Sequence, residues 1–379
     1  MEYYFDNSAT TVPSDAVIEK MNFVARNVWG NPSSLYGKGL DAQKVIDEAR
    51  ANIKNSLNIR DRKSKIIFTA GGTEADNLAL IGTAHAKAKN KGKKIITTKS
   101  EHPAVIESCK FLENEGYRVV YLSAPRGVVD MDEYTQELDR DTILVSVMTV
   151  NNETGAVYDI EKIFAMAKSI NPEIVTHTDA VQGYLKIKLN PERIKCDLMT
   201  LSSHKIHGPK GVGALYAASD IIKSKKISPV IFGGAQEGGY RSGTENVIGI
   251  AGFGEAVKAG IYPESVRELR TYIAENLPGE ITANIPAGEY APHILNVTLP
   301  RIKSETMLHF LSSKGIYVSS GSACSSNSGH SNYVLPDFGI TAEQADFSIR
   351  ISLDDTLTKN DADVLISALN EGLNKLVRK

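Results

Sequence analysis

The sequence is short of cysteine, of tryptophan and of net charge. Three cysteines in 379 residues, odd in number and far apart, cannot build a disulfide scaffold and suit a reducing compartment, so a cytoplasmic protein is the expectation. A net charge of −2 leaves no basic footprint for nucleic acid and no polybasic patch for a membrane. No apolar run is long enough to span a bilayer, and "MEYYFDNSATT" has neither the basic start nor the apolar core of a signal peptide. The glycosylation-type triplets at Asn152 and Asn296 are then chance matches. Neither a Walker loop nor a G-x-G-x-x-G occurs, and there is no internal repeat or low-complexity tract.

What is present is an ordinary globular composition, 42% hydrophobic and 23% charged, long enough for two domains with their own cores. From "KIIFTA" (65–70) to "GALYAA" (213–218), short Val/Ile/Thr-rich runs alternate with helical patterns such as 104–116 and 160–170. Most of these runs lack strict alternation, as strands covered on both faces do. This rhythm predicts an α/β fold, a mostly parallel sheet flanked by helices, whose ligands gather at the carboxyl ends of the strands. After about residue 258 the rhythm changes to a smaller α+β pattern. We therefore expect a large domain over 13–258 and a small one built from 1–12 and 259–379.

Four strand ends carry chemistry. "KIIFTAGGTEADNLAL" reads as a strand, a Gly-Gly turn and a helix beginning near Thr73, whose free N–H groups and dipole suit a phosphate. Other strands end in Asn151 and Asn152, in Asp179 followed by Gln182, and in Ser202, Ser203, His204 and Lys205. Singly, Asp179 reads as a helix cap, Lys205 as a solvated lysine and His204 as a core residue. Together, a phosphate cradle, an acid and a lysine describe pyridoxal phosphate (PLP), which needs a lysine to join its aldehyde and a carboxylate to keep its ring nitrogen protonated. A desolvated lysine beside a cationic ring loses its proton more readily. His102, at another strand end just before Pro103, reads as evenly as a capping or core histidine as it does as a functional one. His204 and His207 at i, i+3 without further ligands do not make a metal site. "VSSGSACSSNSGHSN" (318–332) places Cys324 on a Ser/Gly-rich stretch, an unusual setting for one of the most buried residue types. Cys109 and Cys196 fall within a helix and at a strand start, where packing explains them.

"GNPSS", "GGTEADN", "SEHPAV", "VNNETG", "TDAVQ", "SSHKIHGPKG", "RSGTEN" and "SSGSACSS" together resemble the cysteine desulfurases, the NifS/IscS type of class-V aminotransferase, over nearly the whole chain. The resemblance implies the aspartate-aminotransferase-like fold (fold type I) and PLP as cofactor. It makes Lys205 the Schiff-base lysine, Asp179 the partner of the ring nitrogen, Gln182 that of the ring hydroxyl and His102 the residue stacked on the ring and the proton carrier. Gly72, Thr73, Ser202 and His204 match phosphate ligands, and Thr244 matches one donated by the other subunit of a homodimer. Asn152, counted also with the cofactor contacts, and Arg350 match the holders of the substrate carboxylate, to which the guanidinium fork is suited. Cys324 matches the nucleophile that takes sulfur from L-cysteine as a persulfide, with release of alanine. A protein acceptor for iron–sulfur cluster assembly or tRNA thiolation is implied downstream.

The pattern departs from the family at several points. Tyr36 and Phe232 replace frequent histidines, and Gly238 replaces an arginine at the loop facing the active site. Asp354 and Asp355 add negative charge where a substrate entrance is expected, and the chain stops at Lys379 without a longer C-terminal extension. Three rival readings stand beside the desulfurase. They are a selenocysteine lyase, an aminotransferase-like enzyme with Cys324 idle, and a non-catalytic docking partner, which the presence of Lys205 and Asp179 disfavours.

Overall fold

A computed structural model describes residues 2–88, 92–320 and 333–376. A short strand β1 (Tyr3–Tyr4) opens the chain, and the seven strands of the main sheet follow. These are β2 (Lys65–Thr69), β3 (Lys94–Thr98), β4 (Arg118–Leu122), β5 (Thr142–Ser146), β6 (Val175–Asp179), β7 (Leu198–Ser202) and β8 (Gly213–Ala217). Their order is β2-β8-β7-β6-β5-β3-β4. Only β8 runs against its neighbours, pairing antiparallel with both β2 and β7, while β7, β6, β5, β3 and β4 pair in parallel. β3, β5, β6, β7 and β8 are buried at every residue, which is why their sequences do not alternate.

Helices cover both faces. Gly72–Ala86 and Pro103–Asn114 pack over Ile67, Ile95, Leu144 and Val175 on one side, and the opposite core joins residues from Val17 to Val257 around Val145, Met199 and Ala214. The helix Ile160–Ile170 begins at Asp159, whose carboxylate accepts the Lys162 N–H at 3.1 Å, satisfying one of the orphan donors of the first turn. Each expected strand of this region is present, though "TILVSVMTV" leaves the sheet early. β5 ends at Ser146 and Val150 makes only an isolated bridge to Val157, because the chain turns there to bring Asn151 and Asn152 over the strand ends.

A second sheet contains β9 (Thr282–Ala283), β10 (Ile294–Thr298), β12 (Ser319–Ser320) and β13 (Ser348–Ser352) in the order β12-β13-β10-β9, all antiparallel. β11 (Ile316–Tyr317) pairs in parallel with β1. The apolar core under this sheet draws on residues 266–369 and on Phe5, which is fully buried. Residues 2–7 thus pack with the second sheet, while 8–14 cross to the main sheet, where Thr11 and Ser14 donate to the carbonyls of His204 and His207. None of the described helices is long and apolar enough to cross a membrane.

One departure from the family pattern has a local explanation. Gly238 has φ +67°, a left-handed turn that favours glycine over arginine. The loop is tied down instead by Glu237, whose carboxylate accepts both arms of Arg50 at 3.0 and 3.1 Å and the Phe68 N–H at the edge of the sheet.

Candidate active site

Lys205 lies in a single 3₁₀ turn (Ser203–Lys205) directly after β7, and Asp179 is the last residue of the neighbouring β6. Parallel pairing therefore delivers the lysine and the acid to the same end of the sheet, as the strand-end rule requires. There a cavity of about 300 Å3 is lined by Gly72, Thr73, His102, Asn152, Asp179 and Gln182, and across from them by Ser202, His204, Lys205 and Arg350. The sequence pattern names all ten for the site. Of the other two candidates, Thr244 is exposed and lies outside this cavity, and Cys324 falls outside the described residues.

The phosphate corner is built from backbone. The helix Gly72–Ala86 starts at Gly71 without a side-chain cap, leaving its first N–H groups for a ligand. Gly72 is there for space: a β-carbon would lie 2.9 Å from Val181 Cγ2. Ser202 Oγ is buried with no hydrogen-bond partner among the described residues, an unpaired donor at the spot where phosphate oxygens would sit. The ring of His204 meets Thr10 Oγ1 through Nδ1 at 3.2 Å, and burial lowers its pKa to about 4, so it is neutral at pH 7. A helix start, a glycine clearance and an unpartnered hydroxyl beside a lysine and a buried acid fit PLP well.

At the far wall, His102 caps its helix by accepting the Ala104 N–H on Nδ1 at 3.1 Å. That bond fixes the neutral tautomer with its proton on Nε2. Burial depresses its basicity, with Asp179 opposing and Lys205 reinforcing the shift. Burial pushes the Asp179 carboxyl up, against His102, the Val181 amide and Lys205. The Val181 N–H donates to Asp179 Oδ1 at 2.8 Å. A pyridinium N–H is the partner that would restore this carboxyl to its charged form.

Lys205 Nζ donates to the carbonyls of Ser8 at 2.5 Å and Ala9 at 2.8 Å. The same Ser8 oxygen accepts Gln182 Nε2 at 2.9 Å. Arg350, on β13, donates to the Asn152 carbonyl and to Asp6 Oδ1, both at 2.9 Å. Cys109 and Cys196 are buried, and burial raises both thiols far above their ordinary range, so neither is a ready nucleophile.

Sequence reasoning missed Ser8, Ala9, Asp76 and Ser319, which also line the cavity. The signal for Asp76 was its i, i+3 spacing from Thr73 on one helix face. It stands 3.6 Å from His177, and its donor atom lies within 4.8 Å of those of Asp179 and His102. Asp354 is a correction. It does not line the cavity, and it is buried with Oδ2 3.9 Å from His207 Nε2 and Oδ1 accepting the Thr356 N–H and hydroxyl. Its carboxylate faces Lys186 and His207 behind the lysine turn instead of a substrate entrance.

The model of the family described as aminotransferase class-V matches residues 3–365. The chain is 40% identical to "Cysteine desulfurase IscS" of Dictyoglomus turgidum, over 99% of this chain and 95% of that one. The chain belongs to the class-V aminotransferases, among the cysteine desulfurases. A second relative of that name, from Methanosarcina thermophila, is also 40% identical, over 98% of this chain and 92% of its own. Among solved structures, a "NifS-like protein" superposes with a TM-score of 0.90 at 35% identity, covering 99% of this chain and 100% of that one. A structure titled "SspA in complex with cysteine" gives 0.82 at 31% identity, over 93% and 99%. The family membership and the mostly parallel sheet give the chain the fold type I architecture.

Proposed function

We propose that this desulfurase works with PLP on L-cysteine, transfers the sulfur to Cys324 as a persulfide and releases L-alanine. The observation that carries the reading is the convergence of Lys205, Asp179, an open helix start and Arg350 on one cavity of about 300 Å3. When bound, PLP supplies an electron sink for the substrate's Cα. Gly72, Thr73, Ser202 and His204 would hold its phosphate, Asp179 its ring nitrogen, Gln182 its ring hydroxyl and Lys205 its aldehyde.

Each side chain then has one task. Arg350, steadied by Asp6 and the Asn152 carbonyl, receives the substrate carboxylate together with Asn152. Lys205, once released, takes the Cα proton as a neutral amine and returns it as an ammonium. His102, with its proton on Nε2, is placed to pass protons to the departing group. The Cys324 thiolate attacks the substrate sulfur. An S–S bond forms as the C–S bond breaks, and its electron pair stays with the carbon skeleton that leaves as alanine. The solved relative titled as a complex with cysteine supports this substrate class.

Exposure supports a homodimer. Trp29 (68%), Leu35 (95%) and Phe232 (80%) leave large apolar side chains open, and exposed apolar surface favours an interface. Thr244 would serve the partner's phosphate corner. The separate apolar cores support a large domain over 13–258 and a small one from 1–12 and 259–379, with residues 8–12 the crossing between the two. A cytoplasmic location and a protein sulfur acceptor, in iron–sulfur assembly or tRNA thiolation, complete the reading. The test compares alanine and sulfide release from L-cysteine with a reductant, native against Cys324→Ala, at equal PLP content. Both products vanish together in the variant if the reading holds. Turnover that survives in Cys324→Ala sinks it.

A further inference from the structure

Residues 8–12 form a strap across the lysine turn, and a second polar network lies behind it. On the cavity side, the strap's Ser8 and Ala9 carbonyls accept Lys205 Nζ. On the far side His207 grips the strap. Its backbone N–H donates to Thr11 Oγ1 at 2.7 Å and its ring Nδ1 meets the Val12 carbonyl at 3.0 Å. His207 itself has φ +61°, a left-handed conformation that a side-chain-bearing residue keeps only where its surroundings hold it.

Those surroundings are Tyr262 and Lys186. The Tyr262 hydroxyl is 3.2 Å from His207 Nε2 and 2.6 Å from Lys186 Nζ, which also lies over the tyrosine ring at 3.8 Å from its centre. Lys186 is only 3% exposed. Leu185, beside it, is a second residue at positive φ, +57°, and its carbonyl accepts the Tyr262 N–H at 2.9 Å. A carbonyl can only accept, so the proton on the His207 ring sits on Nδ1, facing Val12. Nε2 then has its lone pair free for the Tyr262 O–H, and the tyrosine oxygen accepts from Lys186. This proton order satisfies every link from Lys186 to the strap.

We propose that Tyr262 is a positioning residue for Lys205: backed by Lys186, it locks His207, and through His207 the strap whose carbonyls hold the lysine's amine. The inference rests on the reading of Lys205 as the residue that joins PLP. Two carbonyl acceptors favour the ammonium form of Lys205 whenever it is not joined to PLP, the form from which it can return a proton. Loosening the strap removes those acceptors and lowers the proton affinity of Lys205. Lys186 has a proton to donate to the Tyr262 oxygen whether it is charged or neutral. Burial lowers its pKa to about 7, Asp354 and Asp355 oppose that shift, and Lys205 adds to it. His293 stands edge-on to the Tyr262 ring, at 6.1 Å between centres, and is buried and neutral.

The test reads Lys205 directly. The full chain is stripped of PLP, PLP is added back across a pH series, and the rate at which the bound yellow colour develops is followed. Only the neutral amine can join the aldehyde, so the midpoint of the rate–pH curve reports the proton affinity of Lys205. In Tyr262→Phe, which deletes one hydroxyl, the midpoint falls by about one pH unit, the equivalent of one charge-assisted hydrogen bond, while the circular dichroism spectrum stays native. Thr11→Val, which loosens the strap from the other side, moves it in the same direction and decides the matter if Tyr262→Phe fails to fold. A midpoint that stays put or rises overturns the proposal. If PLP attaches no differently to Lys205→Ala than to the native chain, the PLP reading of the site fails first, and the two failures are distinguishable.

Discussion

Arg350 and Asp6 form an ion pair of 2.9 Å, both largely shielded from solvent, at the wall of the cavity. The pair joins β13 to a segment at the opposite end of the chain and holds the guanidinium at the cavity wall, in the place assigned to the substrate carboxylate. Lysine in its place keeps the charge and loses the fork. In Arg350→Lys the kcat/KM for L-cysteine falls by about 10- to 100-fold, the worth of one or two charge-assisted hydrogen bonds, with PLP content unchanged. A variant with native kcat/KM would remove Arg350 from substrate binding.

Asp179→Asn tests the acid alone, because an amide oxygen can still accept the Val181 N–H that Asp179 Oδ1 accepts at 2.8 Å. Without the negative charge the ring nitrogen loses its proton and the electron sink weakens. We expect a loss of about 100-fold or more in alanine release, of the order of other transition-state charge deletions, and a changed absorption spectrum of bound PLP. Native turnover in this variant would assign the acid's role elsewhere, with Asp76 the nearest carboxyl.

Thr244 lies on the surface, outside its own chain's cavity, so the contribution to a phosphate proposed for it is one made in a partner. Thr244→Ala weakens PLP binding by roughly tenfold, about one hydrogen bond to a charged group, as measured by equilibrium titration. Sedimentation shows a dimer in both forms. An unchanged PLP affinity, or a monomeric native protein with full PLP content, contradicts the shared site.

Glu101, next to His102, is fully buried, and burial raises its pKa from 4.5 to about 8 against the Met148 amide and the Thr98 hydroxyl, which donate to it at 2.9 and 2.8 Å. In the unfolded chain it ionises near 4.5, so between that pH and about 8 the unfolded state binds fewer protons than the folded one. Stability from this group is complete below 4.5 and is lost as pH rises through 8. Glu101→Gln, the neutral isostere, removes that slope. It behaves like the native protein in urea at about pH 5 and becomes more stable than it at about pH 8.5, by a few kcal/mol as an order of magnitude. Parallel pH profiles for the two would show that Glu101 is ionised in the fold.

Much of this was legible in the chain because strand-end chemistry is local. A Val/Ile/Thr run followed by Asp179, or by Ser202 to Lys205, says both where the strand stops and what it presents, and parallel pairing then gathers the ends. Ser8 and Ala9 could not be read this way, since they act through backbone carbonyls and any residue supplies one. Tyr262 and Lys186 sit in segments whose patterns are those of ordinary connections, and only tertiary packing brings them to His207. Asp354 was misplaced because a carboxylate two residues past a strand carries no sign of which face it will turn to. It turned inward, toward Lys186 and His207, which stand about 150 or more residues before it in the sequence.

The wall of the cavity that holds Lys205 is made of the first residues of the chain, yet those residues are fixed by some of the last. Asn7 donates to the Ser352 carbonyl and Tyr3 pairs with Ile316, contacts more than 300 residues apart in sequence. On a ribosome, the segment that emerges first must wait for almost the whole protein to be made before it can dock. Contacts of such separation are the slow ones in folding. Capacity to bind PLP should therefore be acquired at the very end of synthesis, and a nascent chain halted before residue 350 would hold a finished main sheet and an unfinished enzyme.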